Sequence, residues 1–198
     1  MGTRIWRDPE VGVTGLSSHN MDGRFGWDLF ESRQVEIDYD HHLLIIRPRL
    51  PKHLKGYVKR RLIFQRGYVC MEAAFGNDGS SFLLDTGSDQ AAVVDSAWAA
   101  AHHFTTGLRI IKTSSIQDPR GVRYETKTVE APELSLGADI RLTNVPVFVL
   151  SGRNPAGFSL NILGNDVLKR FNIILDFQHD NIYLKPNQLM DAPYRANS

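Results

Sequence analysis

The chain has 198 residues, enough for one large or two small domains with a real core. Lys and Arg total 23 against 22 Asp and Glu, so a net charge of +1 supplies no global field for nucleic acid or a membrane surface. The single cysteine, Cys70, excludes an intrachain disulfide and any multi-cysteine metal cage, and no apolar run approaches the roughly 18 residues of a membrane-spanning helix.

Residues 1–25 are polar and glycine-rich, without sustained periodicity, and predict loop or partial strands. The stretch from Gly26 to Pro48 then matches the stretch from Gly164 to Pro186 without a gap, at a constant offset of 138. Gly26, Asp28, Asp38, His41 and Pro48 fall on Gly164, Asp166, Asp176, His179 and Pro186. Val35, Tyr39 and Arg47 fall on Ile173, Phe177 and Lys185. This reads as an internal repeat of one supersecondary unit. Asp85, the acid singled out below, lies 79 residues before Gly164. In a like-built first unit the matching acid would precede Met1 by about fifty residues. The expected organisation is the C-terminal part of a first unit over 1–50, a basic linker or edge strand over 51–66, a complete unit over 67–190 and a tail over 191–198.

Residues 47–66 carry eight Lys/Arg and no acid. Pro48 and Pro51 punctuate the start, and lysine protects exposed sheet edges, so a solvated linker running into an edge strand is expected rather than a nucleic-acid patch. Tyr68 to Phe75 reads as a strand, Asn77 to Ser80 as a hairpin turn and Ser81 to Asp85 as the returning strand. Cys70 falls in the first of these as a small buried hydrophobe. Asp95 or Ser96 caps a short helix reaching Ala101. Leu108 to Val129 forms two β-rich arms around Asp118-Pro-Arg-Gly121, a type I turn by its residues. Asn144 to Leu150 is the most hydrophobic of the later strands. Asn161-Ile-Leu-Gly164 is an apolar pair stopping at a glycine, followed by a short helix over Val167 to Phe171. A last hairpin over Asn172 to Leu184 turns at His179-Asp-Asn181. Helix is scarce and the class is mostly β.

The stretch with chemistry in it is Phe82-Leu83-Leu84-Asp85-Thr86-Gly87-Ser88. The last four residues alone are also the composition of a β-turn. The apolar lead-in is what a turn does not explain: it delivers one acid to a strand end, where Gly87 lets backbone approach and Thr86 and Ser88 offer hydroxyls. That suits an acid held in place to activate water. The adjacent pairs His41-His42 and His102-His103 point to opposite faces of any strand and lack a completing acid or cysteine set, so no metal site is expected. Asp38 and Asp176 recur in Ile-Asp-Tyr and Leu-Asp-Phe contexts and read as structural anchors for a turn.

Together, Leu-Leu-Asp85-Thr86-Gly87-Ser88 and Asn161-Ile162-Leu163-Gly164, about 75 residues apart, resemble the pepsin/retropepsin superfamily of aspartic peptidases, with its bacterial single-unit and two-unit relatives. The resemblance covers Tyr68 to Pro186, with Gly26 to Pro48 as the tail of a second copy. It implies a closed acid-protease β-barrel with one or two short helices. It makes Asp85 the catalytic carboxylate, with Thr86 bracing the paired loop and Gly87 and Ser88 beside the acid. Ile162, Leu163 and Gly164 would form the supporting loop, and the tip at Pro119, Arg120 and Gly121 the flap over substrate, although its charge departs from the glycine-rich tips of the family. It implies no cofactor and no metal. The partners are a peptide or protein substrate and a second unit, from an upstream lobe or a homodimer mate, because the family's chemistry needs two acids and this chain has one Asp-Thr-Gly. An inactive peptide-binding or assembly module of the same fold is the alternative.

Overall fold

A computed structural model describes residues 25–117, 123–150 and 160–195. A 3-10 turn (Trp27–Phe30) precedes β1 (Gln34–Asp38), β2 (Leu43–Arg47), β3 (Val58–Arg61) and β4 (Ile63–Gln65). Next come β5 (Tyr68–Phe75), β6 (Asp78–Asp85), β7 (Ala92–Val94), α1 (Ser96–Ala101), β8 (Arg109–Gln117) and β9 (Arg123–Ser135). The chain closes with β10 (Arg141–Val149), β11 (Asn161–Gly164), α2 (Asn165–Leu168), β12 (Phe171–Asp176) and β13 (Asn181–Pro186). The protein is mostly β, with few and short helices. Among the described residues no helix is long and apolar enough to cross a membrane.

The larger sheet runs β4-β5-β6-β11-β7-β10-β9-β8. A further pairing of β5 with β9, at Ala74 opposite Ser135, closes the strands from β5 round to β9 into a barrel. Its interior is filled by the inward residues of each strand: Met71, Ala73 and Phe75, then Phe82, then Val129, Ala131 and Leu134, then Leu142, Val145 and Val147. Phe75 lies at the centre of an aromatic group with Phe82, Trp98 and Phe104. Cys70 is fully buried in β5, and burial pushes its thiol pKa up. Asp95 caps α1 by accepting the Ala97 N–H at 2.8 Å.

Some boundaries differ from those expected. The hairpin between β5 and β6 turns at Gly76-Asn77, because Phe75 pairs directly with Asp78 and Gly76 takes the left-handed φ of +59° that a two-residue loop needs. The helix expected over Val167 to Phe171 spans Asn165 to Leu168, and Phe171 already belongs to β12. The strands β8 and β9 form the expected arms, and their tip at Pro119, Arg120 and Gly121 lies outside the described residues, as do residues 1–24.

The smaller sheet runs β2-β1-β12-β13-β3. The basic stretch contributes β3 at one edge of this sheet and β4 at one end of the larger sheet, so it joins the two. The offset of 138 recurs in the geometry. It carries the 3-10 turn onto α2, β1 onto β12 and β2 onto β13. In the antiparallel pairing of β1 with β12, Glu36 sits opposite Ile174, its own counterpart. Each half also reaches across to the turn of the other. Gln34 donates to Asp176 and Gln178. Asn172, at the position matching Gln34, accepts the N–H groups of Tyr39 and Asp40 and donates to Asp40.

Both repeated acids anchor their turns. Asp38 accepts the His41 N–H and meets its ring at 2.8 Å, and Asp176 meets the His179 ring at the same distance. Burial works to raise the Asp38 carboxyl, but hydrogen bonds from His41 outweigh it and hold the pKa below the usual value. In return Asp38 raises His41 above 6.5. A histidine raised on folding stabilises fully below its unfolded pKa, and that stability is lost as pH rises through the folded value. The 38–41 turn is therefore expected to loosen as pH climbs past about 6.5, seen by NMR as a His41 titration displaced upward and abolished in Asp38→Asn.

A buried cation fixes the C-terminal segment. Arg170 is almost wholly buried, and its guanidinium donates to the carbonyls of Asp166, Leu189, Met190 and Ala192, with the Tyr194 ring centroid 3.8 Å from Cζ. Hydrogen bonds from a charged donor contribute more than neutral ones. Arg170→Met is expected to destabilise the chain by about 3 kcal/mol in urea unfolding and to expose residues 187–195 to limited proteolysis. A loss below about 1 kcal/mol would contradict the clamp.

Candidate active site

The acid sits where two strands end together. β6 runs parallel to β11, and Phe82, Leu83, Leu84 and Asp85 stand opposite Asn161, Ile162, Leu163 and Gly164 in turn. The Asp85 backbone is thus one strand spacing from that of Gly164. β11 also pairs antiparallel with β7 on its other side, so residues 86–91 must cross over the end of β11 to get from β6 to β7.

That crossing explains Gly164. A Cβ built there would lie 2.1 Å from the Gln90 carbonyl oxygen and 3.2 Å from that of Ser88. Its φ of −89° is open to any residue, so lack of space, not backbone conformation, requires glycine. The same closeness satisfies the helix start. Gly164, as N-cap of α2, has no side chain to cap it. Instead, Asn165 N donates to Ser88 O at 2.7 Å and Asp166 N to Gln90 O at 3.2 Å. Gly164 N donates to Ala91 O at 3.0 Å. The otherwise unpaired donors of a helix N-terminus thereby hold the acid loop.

Within the loop, the Gly87 N–H donates to Asp85 Oδ1 at 2.9 Å. A Cβ on Gly87 would come 3.2 Å from that oxygen, so the glycine permits the close approach. Asp85 is half-buried, Thr86 and Gly87 are exposed and Ser88 is half-buried. The Ser88 hydroxyl, expected beside the carboxylate, accepts the Gln90 N–H at 3.4 Å. Ile162 is partly buried while Leu163 is fully so.

Asn165 and Tyr39 support the site through a contact that the sequence does not show. Asn165 accepts a 2.6 Å hydrogen bond from the Tyr39 hydroxyl, tying the glycine corner to the turn after β1. Burial pushes the Tyr39 pKa up to about 12, so the phenol stays a donor. The matching contact uses different chemistry, with the Phe177 ring 5.8 Å from that of Trp27. The signal was present in the Tyr39/Phe177 match, but a hydroxyl alone does not say where it is satisfied.

No family model matches this chain, and no curated protein does either. Among solved structures, it is similar to a retropepsin-like aspartic protease from Rickettsia conorii. The identity is 20%, the TM-score 0.42, and the match covers 65% of this chain and 90% of that one. The site's own geometry carries the functional reading.

Proposed function

We propose that this chain is one lobe of an aspartic endopeptidase, hydrolysing peptide bonds in extended substrates with Asp85 as one of two catalytic carboxylates. The observation that supports it most is the seating of Asp85. It is presented at a strand end, receives a backbone N–H on one oxygen and is braced by a loop that the α2 N-terminus holds down. The Gly87 contact alone is what an ordinary turn aspartate makes; the seat at paired strand ends and the loop tied to α2 go beyond it.

The chemistry follows from pairing. Two carboxylates sharing a site hold one proton between them, as is known for aspartic-protease pairs. The ionised member takes a proton from water as the water attacks the carbonyl carbon, and the protonated member donates to the carbonyl oxygen. One acid cannot fill both roles, so the second comes from an upstream lobe or a partner chain. Thr86, exposed at the rim, is available to brace that second loop. Pro119, Arg120 and Gly121 are proposed as the flap.

A transition-state mimic tests the proposal. In the assembled protein, a statine-type peptide bearing a tetrahedral hydroxyl is expected to inhibit cleavage competitively, with activity greatest below neutral pH. A rate still rising past about pH 8 would contradict a shared-proton pair. The alternative, a peptide-binding module without activity, rests on the single Asp-Thr-Gly in 198 residues. It predicts peptide binding unchanged by Asp85→Asn, with no turnover in either form.

A further inference from the structure

The clamp on the C-terminal segment leaves part of its own charge unanswered. Arg170 is 1% exposed, and among the described residues its guanidinium bonds only to neutral carbonyls, through Nε and Nη1. Nη2, with two N–H groups, is buried without a partner. The acid one turn back, Asp166, gives its carboxylate to Lys169 and to the Arg195 N–H instead. A buried charge is ordinarily met by a counter-charge, and a buried donor by an acceptor. On its Nη2 side Arg170 has neither.

Arg170 is also part of the wall of an open cavity of about 470 Å³, a size that suits a small organic molecule. The other walls come from β8, β9, β10 and residues 190–195, and none from the Asp85 loop or β11. Ile111, Leu142, Pro146, Met190, Pro193 and Tyr194 give it apolar surface. Ile111 lies where the register of β8 against β9 slips between Ile110 and Lys112, and such a bulge re-aims a side chain. The lining holds four arginines, at 109, 141, 170 and 195, against the two acids Glu130 and Asp191. Arg109 is paired with Glu130, and Arg141 with Glu133. That leaves Arg170 and Arg195 against Asp191, an excess of one positive charge. One negative charge balances it, and a phosphate dianion would overshoot.

We propose that this cavity binds a small monocarboxylate with an apolar body. A carboxylate oxygen accepts from Arg170 Nη2, and the body lies against Ile111, Met190 and Pro193. The Tyr194 ring, its centroid 3.8 Å from Cζ, covers the guanidinium in the unliganded chain. Because Nη2 is buried, that ring turns aside as the acid enters. The exchange favours the ligand, since a charge-assisted hydrogen bond is stronger than a cation–π contact to a half-buried ring. Nothing in the site depends on Asp85 or on the peptidase reading.

The test is an NMR titration of the full chain with benzoate, phenylacetate and octanoate, each beside its neutral amide. At least one acid is expected to give saturable shifts at the Arg170 Nε–H and the amides of residues 190–195, with Kd of about 1 mM or below. The amides are expected to give none. Tyr194→Ala uncovers Nη2 and is expected to tighten binding about threefold or more. Ile111→Glu puts a negative charge in the exposed wall and is expected to weaken binding about tenfold or more, with the urea midpoint unchanged. Four results overturn the inference: no saturation with any of the acids, amides that bind as well as acids, inorganic phosphate that competes equally, or a Tyr194→Ala chain that binds more weakly.

Discussion

Alanine at position 164 is expected to unseat the acid loop. The added methyl would meet the carbonyl oxygen of Gln90 at 2.1 Å and its carbonyl carbon at 2.9 Å. These are backbone atoms, so no rotamer change relieves the clash. The loop must move, and with it the bonds from Asn165 and Asp166 to Ser88 and Gln90. Overpacking of this kind costs about 1–3 kcal/mol, and the lost bonds place Gly164→Ala at the upper end. Displacing a catalytic group by about 1 Å costs roughly a hundredfold in rate. Cleavage by the assembled protein should therefore fall at least that far, alongside a clear loss in urea unfolding. Gly79→Ala is the matched control. A Cβ there makes only ordinary contacts at 3.9 and 4.0 Å, so stability and activity should hardly change.

The second large effect is at the acid itself. Asparagine keeps the shape of Asp85, and its carbonyl oxygen can still accept the Gly87 N–H. What it loses is the ability to take a proton from water. Acid–base catalysis by a positioned group contributes about 10²–10⁴-fold, and Asp85→Asn should forfeit the upper part of that range. Because the group is half-buried and its backbone contact survives, the unfolding free energy should shift by no more than about 1 kcal/mol. Lost rate with retained stability separates a catalytic acid from a structural one. Gly164→Ala, in contrast, lowers both.

The sequence showed the acid and the glycine because each ends an apolar run, which is a local signal. Leu83-Leu84 before Asp85 and Ile162-Leu163 before Gly164 could be paired only by resemblance, since parallel neighbours nearly eighty residues apart leave no local trace. The helix after Gly164 starts two residues before its expected place for a related reason. Its capping acceptors are the carbonyls of Ser88 and Gln90, contributed by a distant loop, while its own N-cap is a bare glycine. The hairpin after Phe75 departs from its expected place because Asn77-Asp78-Gly79 has turn composition, yet the left-handed residue is Gly76. Asp38 and Asp176 were legible as turn anchors from recurrence alone, and both hold a histidine three residues on. The reciprocal reach of Gln34 and Asn172 was not legible, because an amide's partner across a two-fold depends on strand register.

On the proposed function, Asp85 takes part in bond cleavage. The most direct test is the hydrolysis rate of a fluorogenic extended peptide by the assembled protein near about pH 5, with Asp85 and with Asp85→Asn. Turnover is expected in the first and a loss of about a thousandfold or more in the second, at unchanged fold stability. Equal turnover in the two proteins would contradict it.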